Sequence, residues 1–167
     1  MFSGNASFDG ATFSATAKFN GASFSGNAWF GKATFCGTTE FYGATFSHNA
    51  GFRRATFRSI AEFRRATFSG NASFSEATFS IAWFGGARFS DIVEFGGAAF
   101  RVDTEFDKVT FAGRTSFAAT NFGSGRVVFT EPRAVGPPPP EFDWRDDGVG
   151  KPPNVEPQEW PPSVSTP

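Results

Sequence analysis

Phenylalanine recurs along most of the chain at intervals that alternate between six and five residues. The series runs from Phe2 to Phe129; its step from Phe79 to Phe84 is shortened, and a seven-residue step precedes Phe129. From Phe8 onward, Ala, Thr or Val stands two positions before each Phe. At about 100° per residue, such steps would scatter the rings around a helix, so the pattern excludes an amphipathic helix. It predicts short extended sides with inward positions at i−2 and i, each followed by a polar or glycine-rich corner.

Polar residues that recur every 22 positions give the length of one coil. The recurring sets are Asn5, Asn27, Asn49 and Asn71, and Thr12, Thr34, Thr56 and Thr78. Residues one coil apart in a β-solenoid stack about 4.8 Å apart, where identical polar side chains can bond in ladders. The repeat therefore predicts four-sided coils of 22 residues, about six of them between Phe2 and Phe129. We expect the Asn ladder to end at Asn71, because Ile92 takes the equivalent place in the next coil.

The Phe side chains are the predicted core. Four per coil would form four internal columns of stacked rings, with the small residue at i−2 leaving room for them. Each buried Phe contributes about 1.5–3 kcal/mol, which offsets the ordering of a glycine-rich backbone. The predicted core positions are Phe8, Phe13, Phe19, Phe24, Phe30, Phe35, Phe41, Phe46, Phe52, Phe57, Phe63 and Phe68.

The run Ala-x-Phe-Ser-Gly, as at 22–26 and 66–70, resembles the repeat of the pentapeptide-repeat proteins. Their consensus has a small residue at i−2 and Leu or Phe at i, and the resemblance covers about residues 2–129. It implies an all-β fold, a right-handed parallel quadrilateral β-helix, and the handedness comes from the resemblance alone. The family usually keeps strict five-residue sides, whereas this chain alternates five and six, so its corners are expected to differ.

The last part of the chain differs in kind, because residues 130–167 contain all 11 Pro. We predict a repeat domain over 1–129 and a Pro-rich tail over 130–167 that is extended or disordered. Within this tail, Phe142 and Trp144 are placed to fold back over the C-terminal end of the solenoid.

The N-terminal end has no preceding segment that could cover Phe2, Phe8, Phe13 and Phe19. An open solenoid end exposes apolar rings and unpaired backbone groups. The alternatives are a homodimer or end-to-end stacking through the N-terminal coil, a longer natural chain, or a cover formed by Met1.

Composition and net charge limit the type of core, the compartment and the partners that are expected for this chain. The chain has no Leu, which argues against an ordinary mixed core, and its single cysteine, Cys36, indicates a reducing, cytoplasmic compartment. No apolar run approaches the roughly 20 residues of a membrane span, and no signal-peptide pattern opens the chain. The net charge of −1 argues against nucleic acid and anionic membranes as partners.

Five arginines within one coil are the most unusual surface feature and the candidate partner-binding residues. They are Arg53, Arg54, Arg58, Arg64 and Arg65. Their positions fall at the corners of three consecutive sides, which predicts a basic belt rather than one basic face. The repeat beyond them is more acidic. The belt could bind an anionic partner or make a self-complementary contact, or it could be a solvated coil that tolerates Arg.

Other candidate chemistry is weak. Glu40 and Glu62 lie one coil apart on an outward column beside Lys18, at roughly the 5 Å separation of the carboxyl pair in retaining glycosidases, but on a wall without a pocket. His48 and Cys36 fall on different corners, which does not favour a catalytic dyad, and they are too few for a zinc site. We therefore predict no catalytic, cofactor or metal site.

These observations favour a non-enzymatic solenoid that serves as a protein-interaction or structural scaffold, with an unidentified protein partner. The alternative is an anion- or nucleic-acid-binding module that uses the arginine belt. The resemblance also implies, for some family members, mimicry of duplex DNA and binding to topoisomerases. Such mimicry needs a consistently negative rod, which the arginine belt interrupts.

Overall fold

The computed structural model describes residues 1–132, 134–135, 140–144 and 150–157. Throughout these ranges the regular secondary structure is β-strand, and all of the strand pairs are parallel. Pairing joins each strand to the equivalent strand of the next coil, so the predicted parallel β-solenoid of about six coils is confirmed. Within the described part of the chain, no helix is long and apolar enough to cross a membrane.

Each coil has four faces, numbered here in chain order. The first face consists of Ala6–Ser7, Ala28–Trp29, Ala50–Gly51, Ala72–Ser73, Val93–Glu94 and Thr115–Ser116. The second contains Thr12–Phe13, Thr34–Phe35 and Ala99–Phe100, and two longer strands, Thr56–Glu62 and Thr78–Trp83, bend from it into the third. The third adds Ala17–Lys18, Thr39–Glu40, Thr104–Glu105, Val127–Val128 and Val155–Glu156. The fourth consists of Ser23–Phe24, Thr45–Phe46, Thr67–Phe68, Arg88–Phe89, Thr110–Phe111 and Ala134–Val135.

The shortened step in the sequence is a local shift in register. Phe57 pairs with Phe79, a full coil length further along, whereas Ile60 pairs with Ile81, which is one position short of that length. The bend between the second and third faces is therefore one residue shorter in this coil. The core is undisturbed, because the ring of Phe84 still stacks on the ring one coil below at 5.1 Å.

The alternation of five and six reflects two kinds of corner. A tight corner follows the Phe residues of the first and third faces, where the Phe carbonyl accepts a hydrogen bond from the N–H three residues later. The Ala55 N–H, for example, donates to the Phe52 oxygen at 3.0 Å. The second residue of each tight corner has positive φ, a conformation that glycine adopts at no steric cost. Arg54 and Arg65 nevertheless occupy two of these positions, with φ of 59° and 56°.

A wider corner, one residue longer, follows the Phe residues of the second and fourth faces. The Asn ladder (Asn5, Asn27, Asn49 and Asn71) stands on the corner between the fourth and first faces. The amide oxygens of the first three each accept the backbone N–H of the next Asn, at 2.9, 3.2 and 3.2 Å. The ladder therefore joins side chains to backbone, not side chains to one another, and Asn49 is exposed. Beyond Asn71 the Ile92 N–H bonds instead to Asp91 Oδ1, and the ladder ends.

Stacked Phe rings fill the interior. Every repeat Phe from Phe24 to Phe106 is at most 1% exposed. Rings one coil apart lie parallel and rings of opposite sides meet edge to face, the two geometries that aromatic pairs prefer, while rings of adjacent sides meet edge to face or tilted. The predicted core positions Phe8, Phe13 and Phe19 are the exception, since they are only partly buried. They belong to the first coil, where each ring stacks on one ring of the second coil.

The described parts of the tail extend the C-terminal end. Ala134–Val135 pairs with Thr110–Phe111, and Val155–Glu156 pairs with Val127–Val128. The Asn154 side-chain amide donates to three backbone carbonyls of the preceding wide corner, which holds this segment against it. The boundary at residue 129 and the extended or disordered nature of the tail stay predictions, and much of that tail lies outside the described residues.

Aromatic rings from the same segment cover the end of the solenoid. The ring of Phe142 stacks on that of Phe117 at 4.8 Å, and Trp144 stacks on Phe142 at 4.2 Å. Phe129 meets Phe142 edge-on and is only 5% exposed. The rings of Phe142 and Trp144 therefore lie over the C-terminal coil.

Candidate functional site

The five arginines of the predicted belt lie on three different corners of one coil. Arg53 and Arg54 form the tight corner between the first and second faces, and Arg64 and Arg65 form the tight corner diagonally opposite. Arg58 lies in the bend between the second and third faces. No single face carries all five, so a ligand on one wall would meet only part of the belt.

Arg53 and Arg54 form ion pairs with one carboxylate of the next coil. Arg53 and Arg54 both donate to Glu76, with nitrogen–oxygen distances of 2.7 Å in each case. These hydrogen bonds, that from Arg54 first and that from Arg53 second, hold the pKa of Glu76 below its ordinary value. The three side chains are about half exposed, so the pairs are worth little in stability, and the one carboxylate offsets one of the two positive charges at this corner.

Arg64 and Arg65, at the diagonally opposite corner, contact aromatic rings. The Arg64 guanidinium lies over the ring of Trp83, 4.2 Å from its centre, and the Arg65 guanidinium lies 5.7 Å from the centre of the Tyr42 ring. Both distances fall within the roughly 6 Å range of cation–π attraction. We name Tyr42, Arg64, Arg65 and Trp83 the aromatic–arginine cluster.

Two carboxylates hold Arg64 in place from either side along the solenoid. Glu105 Oε2 accepts a hydrogen bond from Arg64 at 2.8 Å, and Glu62 lies 3.9 Å from it. Both glutamates and Trp83 belong to the outward column of the third face. Arg58, in contrast, is exposed and makes no hydrogen bond or ion pair within the described part of the chain.

The other candidate residues lie apart. Glu40 and Glu62 are register partners on the third face, as the sequence predicted, but each has its own neighbour: Asn20 donates to Glu40, and Glu62 faces Arg64. His48 is on the corner between the fourth and first faces, and Cys36 is on the corner between the second and third. Among the residues that the structure describes, no three His, Cys, Asp or Glu side chains converge as metal ligands do.

The four walls differ in chemistry. The second face presents an uncharged column of Thr12, Thr34, Thr56, Thr78 and Ala99. The first face bears Trp29, whose ring lies over Gly51 so closely that a Cβ on that glycine would be 2.6 Å from the ring. A shallow groove of about 230 Å³ crosses the first face further along, lined by Ser75, Ile92, Val93, Glu94, Gly96, Arg114 and Ser116.

Sequence reasoning identified Arg64 and Arg65 but missed the contact of these arginines with aromatic rings. The signal was present in the spacing. Tyr42 and Arg65 are separated by about one coil length, as are Arg64 and Trp83, so each pair lies on adjoining coils near one corner. The spacing does not show in which direction the two side chains of a tight corner point.

Comparison with known proteins agrees with this architecture. The family model described as "Pentapeptide repeats (9 copies)" matches residues 1–45, 41–88 and 52–99, which together span more than half of the chain. No match is found among curated proteins. With this match, and with short parallel sides stacked around a column of Phe rings, the chain belongs to the pentapeptide-repeat family.

Proposed function

We propose that this protein is a non-enzymatic scaffold that binds a partner protein through the aromatic–arginine cluster. Pentapeptide-repeat solenoids are generally structural or interaction proteins. The packing of the interior supports the same conclusion, because stacked rings occupy it from coil to coil and leave recognition to the outer walls.

The composition of the cluster is the observation that carries the proposal. Tyr, Trp and Arg are the residue types that most often dominate the binding energy of protein interfaces. Tyr42 is 40% exposed and the Arg64 side chain 36%, so both remain available to a partner. The ring of Trp83 and the carboxylate of Glu105 already hold Arg64 in one orientation, which lowers the entropy lost on binding.

Capture from an extract of the native host tests the proposal, with matched variants. Arg64→Ala combined with Trp83→Ala removes half of the cluster. Arg53→Ala combined with Arg54→Ala is the control, because it removes two arginines from the same coil at the opposite corner. Circular dichroism and thermal unfolding confirm that each variant is folded. A protein retained by the wild type and by the control pair, and lost with the cluster pair, is the expected result.

Two outcomes contradict the proposal: no protein is retained above the level of bare resin, or both variant pairs lose the retained protein equally. A second arm measures duplex DNA at increasing salt. Affinity that falls steeply with salt and that weakens with both pairs would support the anion- or nucleic-acid-binding alternative instead.

A further inference from the structure

Two exposed arginines beside the fourth face have no acidic partner. The side chains of Arg65 and Arg88 are exposed, and neither guanidinium makes a hydrogen bond or an ion pair with any residue that the structure describes. Arg64, which precedes Arg65, differs, because Glu105 accepts a hydrogen bond from it. Arg65 is therefore the member of the aromatic–arginine cluster whose charge is left for a ligand, and Arg88 adds a second such charge.

The register of the strands brings these two arginines to neighbouring positions. Arg88 pairs with Thr67 of the preceding coil, and Arg65 stands two residues before Thr67. With strands about 4.8 Å apart and a rise of about 3.3 Å per residue, the two arginine Cα atoms are roughly 8 Å apart. Gly86 lies beside Arg65, since a Cβ added to it would be 3.8 Å from Arg65 Cγ. The residue that adjoins Arg65 on the coil of Arg88 therefore has no side chain to separate the two guanidinium groups.

The fourth face carries no acidic side chain along its first five strands. The outward residues of these strands are Ser23, Thr45, Thr67, Arg88 and Thr110. Glu62 and Glu105, in contrast, belong to the third face, where both lie against Arg64. A negatively charged group that approaches Arg65 and Arg88 over the fourth face therefore meets no like charge there.

We propose that Arg65 and Arg88 bind a short acidic segment of the partner protein, which rests on the scaffold function proposed above and names the chemistry of its partner. A guanidinium binds a carboxylate through two parallel hydrogen bonds, so two neighbouring arginines suit two acidic side chains of one segment. The Tyr42 ring, 40% exposed and 5.7 Å from the Arg65 guanidinium, offers an apolar contact beside them. Nothing lies within 4 Å of a Cβ added to Gly43, so the segment can approach this corner closely.

The charges around the two arginines favour an acidic segment over a nucleic acid. A nucleic-acid strand carries a phosphate at every nucleotide and is bound along a continuous basic groove. Further along the column of Arg65, Lys108 is already paired with Glu131. Asp107 stands next to Lys108 and adds a negative charge. The positive surface therefore ends after two residues, which matches one or two carboxylates better than a row of phosphates.

Fluorescence anisotropy of a labelled oligoglutamate peptide tests this binding, at about 50 mM salt, where exposed charges still attract each other. The wild type is expected to bind the peptide. Arg65→Gln combined with Arg88→Gln is expected to weaken binding about tenfold, because two charge-assisted contacts are lost. Arg53→Gln combined with Arg54→Gln is the matched control: it removes the same charge where Glu76 already pairs with both arginines, and a change below about twofold is expected.

Arg88→Gln alone keeps the test decisive if a change at Arg65 disturbs its corner, since Arg88 lies on a regular strand. No binding of the peptide by the wild type overturns the proposal, as does an equal loss in both variant pairs. Tighter binding of an oligodeoxythymidylate with the same number of charges, lost with Arg65 and Arg88, would assign the arginines to nucleic acid instead. A partner captured from the extract that is lost with the Arg64 and Trp83 pair, yet retained by the Arg65 and Arg88 pair, leaves the scaffold function standing and overturns the acidic segment.

Discussion

Replacing Phe63 by Ala tests whether the ring columns hold the solenoid together. The Phe63 side chain is fully buried, at 0% exposure. Its ring is stacked between Phe41 and Phe84, with centroids at 5.0 and 5.1 Å, and it meets Phe52 and Phe74 edge-on at 5.3 and 5.4 Å. The substitution removes contacts on both faces and at the edge of one ring.

The expected cost follows from this environment. Phe→Ala changes in protein cores lower the free energy of unfolding by about 3–5 kcal/mol. Because Phe63 loses two stacked partners, each worth about 0.5–1.5 kcal/mol beyond area burial, we expect a loss in the upper half of that range. Phe8→Ala is the comparison: Phe8 is partly buried and stacks on Phe30 alone, so we expect about half the loss, roughly 2 kcal/mol.

Urea denaturation followed by far-ultraviolet circular dichroism measures both losses. The stability of a solenoid is approximately a sum over coils and their interfaces, so the slope of the transition is compared as well as its midpoint. A slope lowered by Phe8→Ala alone would indicate fraying of the first coil. Equal losses at Phe63 and Phe8 would refute the idea that two-sided stacking stabilises the interior.

Three smaller predictions concern the surface. Asn49→Ala is expected to lower the free energy of unfolding by about 0.5–1 kcal/mol in urea, because its exposed amide accepts one backbone hydrogen bond; a larger loss would indicate a corner closed to water. Gly51→Ala is expected to increase acrylamide quenching of Trp29, because the added Cβ would lie 2.6 Å from its ring; unchanged quenching would contradict that placement. The Arg54 hydrogen bond lowers the pKa of Glu76, so this carboxylate stabilises the fold above its unfolded pKa and loses that contribution as pH falls through its folded pKa. Glu76→Gln is therefore expected to flatten the acid side of a plot of melting temperature against pH, and identical acid sides would argue against the ion pairs.

The coil length and the core could be predicted because they are periodic. In a solenoid a repeat in the sequence is also a neighbour relation in space, so the recurrence of Thr34 and Thr56 one coil apart is observed directly as a strand pair. The Phe spacing likewise predicts the ring columns, since a side chain at one position of every coil lies directly above and below its own equivalents. Even the missing residue before Phe84 is visible in the sequence.

The corners could not be predicted in the same way. Arg54 and Gly43 hold equivalent places after a Phe, and both have positive φ, yet only glycine indicates such a backbone. The spacing shows that six-residue sides have one extra residue. It does not show that this residue creates a wide corner where an Asn oxygen accepts a backbone N–H. Local hydrogen bonding decides these corners, and Phe spacing carries no information about it.

The difference between the two arginine pairs has a single physical origin. Both pairs occupy tight corners of one coil, and they differ in the side chain of the next coil that each contacts. Beyond Arg54 that neighbour is Glu76, which offsets one of the two positive charges of this corner. Beyond Arg64 the neighbour is Trp83, whose ring lies under the guanidinium, and Glu105 accepts a hydrogen bond from the same group. Both corners therefore have ion pairs within the chain, and what distinguishes the Arg64 corner is a guanidinium held over an aromatic ring, which has less freedom to lose when a ligand contacts it.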